Sequence, residues 1–254
     1  MSDQPLLTIG YSTLADRLTN ISPPKLSLAH EVLISVQNPQ KVSYPKPSYD
    51  CEILESTQLG VAKSRNLVLE NSEGKYLLFA DDEIRFKSEA ILEAIEYLEK
   101  NPRVDLVLAR TEDTEGNLRK SYPASKTGLT RFNSAKAATY EMLVRVSSIR
   151  SKQIRFDEDF GAGVIQYLGD EYIFISDLLK SRGKAVFLPI TIAIHPVESS
   201  GSDWGSERDL KARAAIFTRV FGIWAPIMRS AFYIQSWKKT PGFKSFFKIG
   251  RAHV

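Results

Sequence analysis

Runs of consecutive apolar residues, rather than strict alternation, mark the first hundred residues. Residues 6–12 (LLTIGYS) are apolar and end in small polar positions, as a strand buried on both faces does. Residues 31–37 (EVLISVQ) repeat the pattern and stop at Asn38-Pro39. Residues 37–49 hold three prolines and predict a loop. A third short strand is expected at 51–56. Residues 61–72 have helical spacing, with Val61, Ala62, Leu67 and Leu69 on or near one face. Glu73-Gly74-Lys75 predicts a turn. Residues 76–80 (YLLFA) then run as a wholly apolar strand straight into Asp81-Asp82-Glu83. Ser88 is expected to cap a helix over 89–100, and 104–109 reads as a further strand.

This order of strands and helices predicts an α/β fold, a mostly parallel sheet with helices on both faces. Ligands of such sheets bind beyond the carboxyl ends of the strands. Three polar strand ends are therefore candidates: Tyr11-Ser12, Gln37-Asn38 and Asp81-Asp82-Glu83.

The second half is less regular. Residues 110–122 predict a hairpin around Glu115-Gly116-Asn117. Residues 169–183 predict a helix with an acidic start and a glycine stop. Residues 184–196 predict one or two strands ending at His195. Residues 207–237 predict a helix interrupted near Gly222 and Pro226.

Composition adds one asymmetry. The chain carries a net charge of +4, yet residues 201–254 hold ten Lys/Arg against three Asp/Glu, leaving −3 for the first 200. The basic character belongs to the tail and points to an anionic partner there. Cys51 is the single cysteine, so no intrachain disulfide forms. The start has neither a basic n-region nor a long apolar h-region, and no run reaches the roughly 18 apolar residues of a membrane span. A cytoplasmic setting is the expectation.

Three acids in a row after an apolar strand are costly unless solvated or paired with a cation. A hard divalent ion held by one or two carboxylates together with substrate phosphates suits such a strand end. The bland alternative is that the acids favour the positive end of the following helix. Lys63-Ser64-Arg65-Asn66 places a basic pair at a helix start, where Arg65 reaches a phosphate or a ribose or is simply solvated. Asp170-Glu171 opens another helix, as a dipole partner or as a general base. His195, at a strand end, is either packed in place or converges with Asp81 and Glu83 on a metal.

Taken in order, these residues resemble the family 2 glycosyltransferases of GT-A fold. The stretch GVAKSRNLVLENSEGKYLLFADDE (60–83) is similar to that family's pattern of glycine, small residues, Arg-Asn, helix, turn, apolar strand and D-x-D motif. FDEDFGAG followed by GDEYIFISDLL resembles its second half. The resemblance covers about residues 5–200. It implies a Rossmann-like GT-A domain over 1–200 and a basic, aromatic-rich helical tail over 201–254. It also implies an inverting, metal-dependent transfer from a nucleoside diphosphate sugar, with UDP the commonest donor. The acceptor would be a hydroxyl of a glycan or lipid-linked molecule, in bacterial surface polysaccharide synthesis. On this basis Glu171 is the base with Asp170 beside it. Tyr11, Ser12, Gln37, Asn38, Arg65, Asp81 and Asp82 bind the donor, while Asp81, Glu83 and His195 hold Mn²⁺ or Mg²⁺.

The chain departs from the pattern in four places. Gly10-Tyr11-Ser12-Thr13 replaces the usual first-strand signature, Gln37-Asn38 replaces an Asp-rich turn, the D-x-D motif ends in Glu83, and the acidic pair is reversed to Asp170-Glu171. Those departures keep open a non-catalytic nucleotide-sugar binding module. A nucleotidyltransferase would carry a glycine-rich, basic loop after the first strand, where this chain has Tyr11-Ser12-Thr13-Leu14 and Arg17 only later. Aromatic and basic residues interleaved over 207–248 fit peripheral contact with the inner face of the membrane, or a homo-oligomer contact. No motif supports nucleic-acid binding.

Overall fold

The computed structural model describes residues 4–196 and 206–235. The clusters Trp237-Lys238-Lys239 and 243–248 lie outside the described residues. The strands are β1 (Leu7–Leu14), β2 (His30–Gln37), β3 (Glu52–Ser56), β4 (Tyr76–Asp81), β5 (Arg85–Phe86), β6 (Leu106–Glu112), β7 (Thr127–Gly128), β8 (Met142–Arg145) and β9 (Ala185–Ile194). The helices are α1 (Val61–Asn71), α2 (Ser88–Lys100), α3 (Val146–Ser151), α4 (Asp170–Lys180), α5 (Glu207–Phe221) and α6 (Ala225–Gln235). A short 3-10 helix, Ala15–Asn20, follows β1, and another, Gly222–Trp224, joins α5 to α6.

Among the described residues the strands form one sheet in the order β3-β2-β1-β4-β8-β6-β9-β5, with β7 paired to β9. The β1, β2, β3 and β4 pairings are parallel, as the apolar runs predict. The sheet is more mixed than expected, however. β8 inserts antiparallel between β4 and β6, and β5 and β7 pair antiparallel with β9. Residues 184–196 form a single strand. Its pairing with β6 slips between Leu108 and Thr111, around Pro189, which has no N–H to give a ladder.

Alternation along β1 and β4 sorts the two faces. Leu7, Ile9 and Tyr11 pack with Tyr76, Leu78 and Ala80 on one side, where α2 contributes Ile91, Ala94, Ile95 and Leu98. Leu77 and Phe79 face the other side, under α1 (Ala62, Val68, Leu69), α3 and α4 (Phe174, Ile175, Leu178). Most of these side chains are fully buried, each contributing about 1.5–3 kcal/mol.

Three local expectations change. Ser88 is the first residue of α2 rather than its cap: Lys87 takes the cap position, and the Ser88 hydroxyl donates to the Lys25 carbonyl instead (2.8 Å). On α1, Val68 rather than Leu67 is buried, because the inner face also carries Ser64, Arg65 and Asn66. The 110–122 hairpin shrinks to a tight turn at 113–116, closed by one bridge between Glu112 and Leu118. The tail breaks where expected, since α5 ends at Phe221. No helix among the described residues is long and apolar enough to cross a membrane.

Candidate active site

The same alternation splits the acidic cluster. Asp81 follows Leu77 and Phe79 toward α1, while Asp82 turns to the opposite side. Asp82 is buried there and accepts hydrogen bonds from Thr13 Oγ1 (2.6 Å) and Arg17 Nη2 (2.7 Å). Burial pushes the Asp82 carboxyl up, opposed by the Thr13 hydrogen bond and the Arg17 charge. Glu83 sits on the turn after β4, half-exposed and paired with the same Arg17 guanidinium. Asp82 thus ties the strand end to the first loop, and Asp81 and Glu83 are left to face outward.

Asp81 meets Arg65, which α1 presents to the strand end. The Arg65 side chain is 6% exposed and lies 5.7 Å over the Phe156 ring. Its Nη2 is 3.1 Å from Asp81 Oδ1, and its Nη1 pairs with Asp170 and lies 3.6 Å from Glu171 Oε1. One buried cation therefore holds three carboxylates from β4 and α4. Asn66, the next residue, exchanges hydrogen bonds with the Phe156 backbone (2.8 and 3.0 Å). That clamp fixes α1 to the segment leading into α4.

The two α4 acids are not equivalent. Burial first, and the charge of Glu171 next, push the Asp170 carboxyl up to about 8, against the charge of Arg65. Burial would raise Glu171 too, but the Arg65 charge and the hydroxyl of Thr139 (2.8 Å) outweigh it and hold Glu171 low and ionised. A carboxyl raised in the fold contributes stability at acid pH that is lost as pH rises through its folded value. Asp170→Asn is accordingly expected to flatten the fall in thermal midpoint between about pH 4 and about pH 8. A fall over that range as steep as the wild type's would show that the Asp170 carboxyl is not raised in the fold.

A cleft of about 540 Å³ opens beyond the ends of β1, β2 and β4. Ser12, Gln37, Arg65, Asp81, Asp82, Glu83 and His195 all line it, with Ala162 and Gly163 opposite. His195 arrives because β5 pairs with the end of β9, placing Arg85 opposite Ile194. Its Nδ1 lies 2.7 Å from the Pro196 carbonyl, and its ring packs on Tyr140. Gln37 lines the cleft while its Oε1 accepts from the Gly60 N–H (2.8 Å).

Two expected donor residues lie elsewhere. Tyr11 is fully buried in the core, because odd residues of β1 face α2. Asn38 is buried and closes its own loop, bonding the Val42 backbone in both directions (2.9 Å each). Glu171 lies outside this cleft and lines a second one of about 390 Å³ between α4, α5, α6 and the loop over 129–138. Asp170 is sealed between the two. Arg17 and Thr13 are the site residues that the sequence pattern missed. An arginine one turn past a strand has no periodic signature, and only the fold brings it to the acids.

The chain path at α4 depends on Gly169, which takes φ +91° before the helix. A Cβ there would lie 2.4 Å from Ile216 of α5, so α5 seats directly on the start of α4. Arg219 strengthens the seat through ion pairs of 2.6 Å with Asp157 and Asp177.

A family model described as Glycosyl transferase family 2 matches residues 43–156, a little under half of the chain. The match includes α1, Arg65 and the acidic cluster, and stops short of α4. Among solved structures, Staphylococcus aureus TarS 1–349 gives a TM-score of 0.58 at 12% identity, over 85% of this chain and 65% of that one. The same fragment in complex with UDP-GlcNAc gives 0.58 at 14% identity, over 85% and 66%. The S. aureus TarS structure gives 0.57 at 14%, over 85% of this chain and 40% of that one. This chain thus spans about two thirds or less of those structures, and the likeness carries the fold. No curated protein sequence matches it. The α/β arrangement of central sheet and flanking helices agrees with the expected GT-A fold.

Proposed function

We propose, from the premise that this chain carries the core of a family 2 glycosyltransferase, that it moves a sugar from a nucleoside diphosphate to an acceptor hydroxyl with inversion. UDP is the proposed nucleotide. A glycan or lipid-linked molecule is the proposed acceptor, on the cytoplasmic side of bacterial surface polysaccharide synthesis. One observation carries the reading: Arg65 joins Asp81, in the strand-end cleft, to Glu171, in the cleft beside it. Donor and acceptor pockets that share a charged wall are what a single displacement between two bound substrates needs. The TarS complexes with UDP-GlcNAc and UDP support the choice of nucleotide for a chain of this fold.

Glu171 takes the acceptor proton. It is ionised, partly exposed and fixed by Thr139, so it is oriented and charged before the acceptor arrives. Asp170, buried and with its carboxyl pushed up, positions Arg65. Ser12 and Gln37 face the nucleotide.

The donor set fits a divalent ion only when the diphosphate completes its shell. No three His, Cys, Asp or Glu side chains converge on one point among the described residues. Asp81 and Glu83 supply two carboxylates, the number that Mg²⁺ takes when it also binds phosphates. His195 lines the same cleft. A bound Mn²⁺ or Mg²⁺ supplies charge neutralisation on the departing diphosphate.

Arg17 competes with such an ion for Glu83. Arg17→Ala is expected to lower the Mn²⁺ concentration for half-maximal activity about two- to fivefold, the scale of a half-exposed ion pair. An unchanged or raised concentration would remove Glu83 from the ion's shell. The reading as a whole is tested by UDP-sugar turnover with and without Mn²⁺, with UDP-GlcNAc as first donor. Donor binding with no hydrolysis or transfer to any of a panel of acceptors would instead support a binding module.

A further inference from the structure

The second cleft has a chemical character of its own. Phe132, Phe217, Phe221, Met228 and Phe232 line it. Their rings form a connected set: Phe132 to Phe221 at 5.9 Å, Phe217 to Phe221 at 5.9 Å and Phe217 to Phe232 at 5.4 Å. Glu171 is the only acid among the residues lining it. Arg131 also lines it, its guanidinium lying 5.6 Å over the Phe221 ring, with no carboxylate partner within ion-pair distance among the described residues. Arginine in an aromatic setting favours phosphate or carboxylate groups.

The apolar lining continues outward. Directly after Phe221 come Ile223 (89% exposed) and Trp224 (62%), and beside Met228 stands Ile227 (59%). Three residues of this kind on one helical corner are costly in water. The described helices that carry it, over 206–235, hold five Lys/Arg against two Asp/Glu. Apolar side chains set in a basic helical segment match an anionic lipid surface, whereas a face between two copies of this chain would set like charges against each other.

We propose that this cleft binds an acceptor whose sugar is joined through phosphate to an apolar chain. In this arrangement Arg131 takes the phosphate, the phenylalanines take the first part of the chain, and the corner at 223–227 rests on the membrane from which the acceptor is drawn. The proposal deepens the glycosyltransferase reading and rests on Glu171 lying in the acceptor pocket.

The test uses the full chain and geranylgeranyl monophosphate as probe, with geranylgeraniol and inorganic phosphate as arms, followed by calorimetric titration. The monophosphate is expected to bind at least tenfold more tightly than either arm. Arg131→Ala should remove the preference over the alcohol, and Phe132→Ser should weaken both prenyl ligands several-fold. Phe132 is 70% exposed, so the fold tolerates the change, and an unaltered melting midpoint checks this. Equal affinity for inorganic phosphate, or wild-type affinities in both variants, would overturn the proposal. So would a wild-type dimer that Trp224→Ser converts to a monomer, because the corner would then be a self-contact. UDP-GlcNAc binding is titrated in parallel: if it persists while prenyl phosphate fails, the lipid inference falls alone, and if it too fails, the transferase reading falls with it.

Discussion

Replacing Glu171 by glutamine is expected to cut sugar transfer by about 10²–10⁴-fold, the usual contribution of a positioned general base. Donor affinity should stay within about twofold, since Glu171 lines the proposed acceptor cleft and not the proposed nucleotide cleft. Glutamine keeps the Thr139 hydrogen bond and the side-chain length, so only the proton-accepting charge is lost. The pH profile adds a second check. The Arg65 charge holds Glu171 low, so the acid limb of kcat/KM in the wild type should lie below the ordinary glutamate value of about 4.3. Steady-state kinetics with UDP titration measures both quantities. Wild-type turnover in Glu171→Gln would assign the proton transfer to another group.

The largest effect on stability is expected from Arg65→Met. The methionine fills much of the stem volume but leaves Asp81, Asp170 and Glu171 without their shared cation. Removing one partner of a buried ion pair costs about 3–5 kcal/mol, which for a domain of this size is a fall of roughly 6–20 °C in Tm. The deficit should depend on pH in a definite direction. Without the cation, burial raises Glu171, which Arg65 holds low in the wild type, above its unfolded value. Stability is then retained below the unfolded value, about pH 4, and lost as pH rises. The gap between variant and wild type should therefore widen from acid to neutral pH in melting experiments. A Tm within about 2 °C of wild type at neutral pH would mean that water, not Arg65, satisfies the acids.

The parallel half of the sheet was legible because β1, β2 and β4 are mostly buried on both faces and read as apolar runs. The strand-end acids were legible for the same reason: three charges after YLLFA have no core to enter. Their division of labour was also implicit, since alternation must send Asp81 and Asp82 to opposite sides. What the sequence could not convey was which partners wait there. Arg17 lies 65 residues from Asp82 along the chain, and its place follows from the parallel pairing of β1 with β4. Tyr11 was misread because a strand end and a strand interior look alike in a run without alternation. The antiparallel insertion of β8 was hidden as well. Four apolar-rich residues, Met142–Arg145, have no direction until Leu143 is paired on both sides, with Leu78 and with Val107.

Gly169 has a consequence for how the protein can be rebuilt. The position takes no side chain, because Ile216 fills the space where a Cβ would stand. The last described helices are thus keyed to the start of the helix that carries Glu171. A tail grafted from a relative will seat only if the residue matching Ile216 leaves that notch filled, and a catalytic half bearing alanine at the matching position will reject this tail. On the proposed reading, acceptor choice and the base travel as one fitted part, so chimeras cut between them should lose both together.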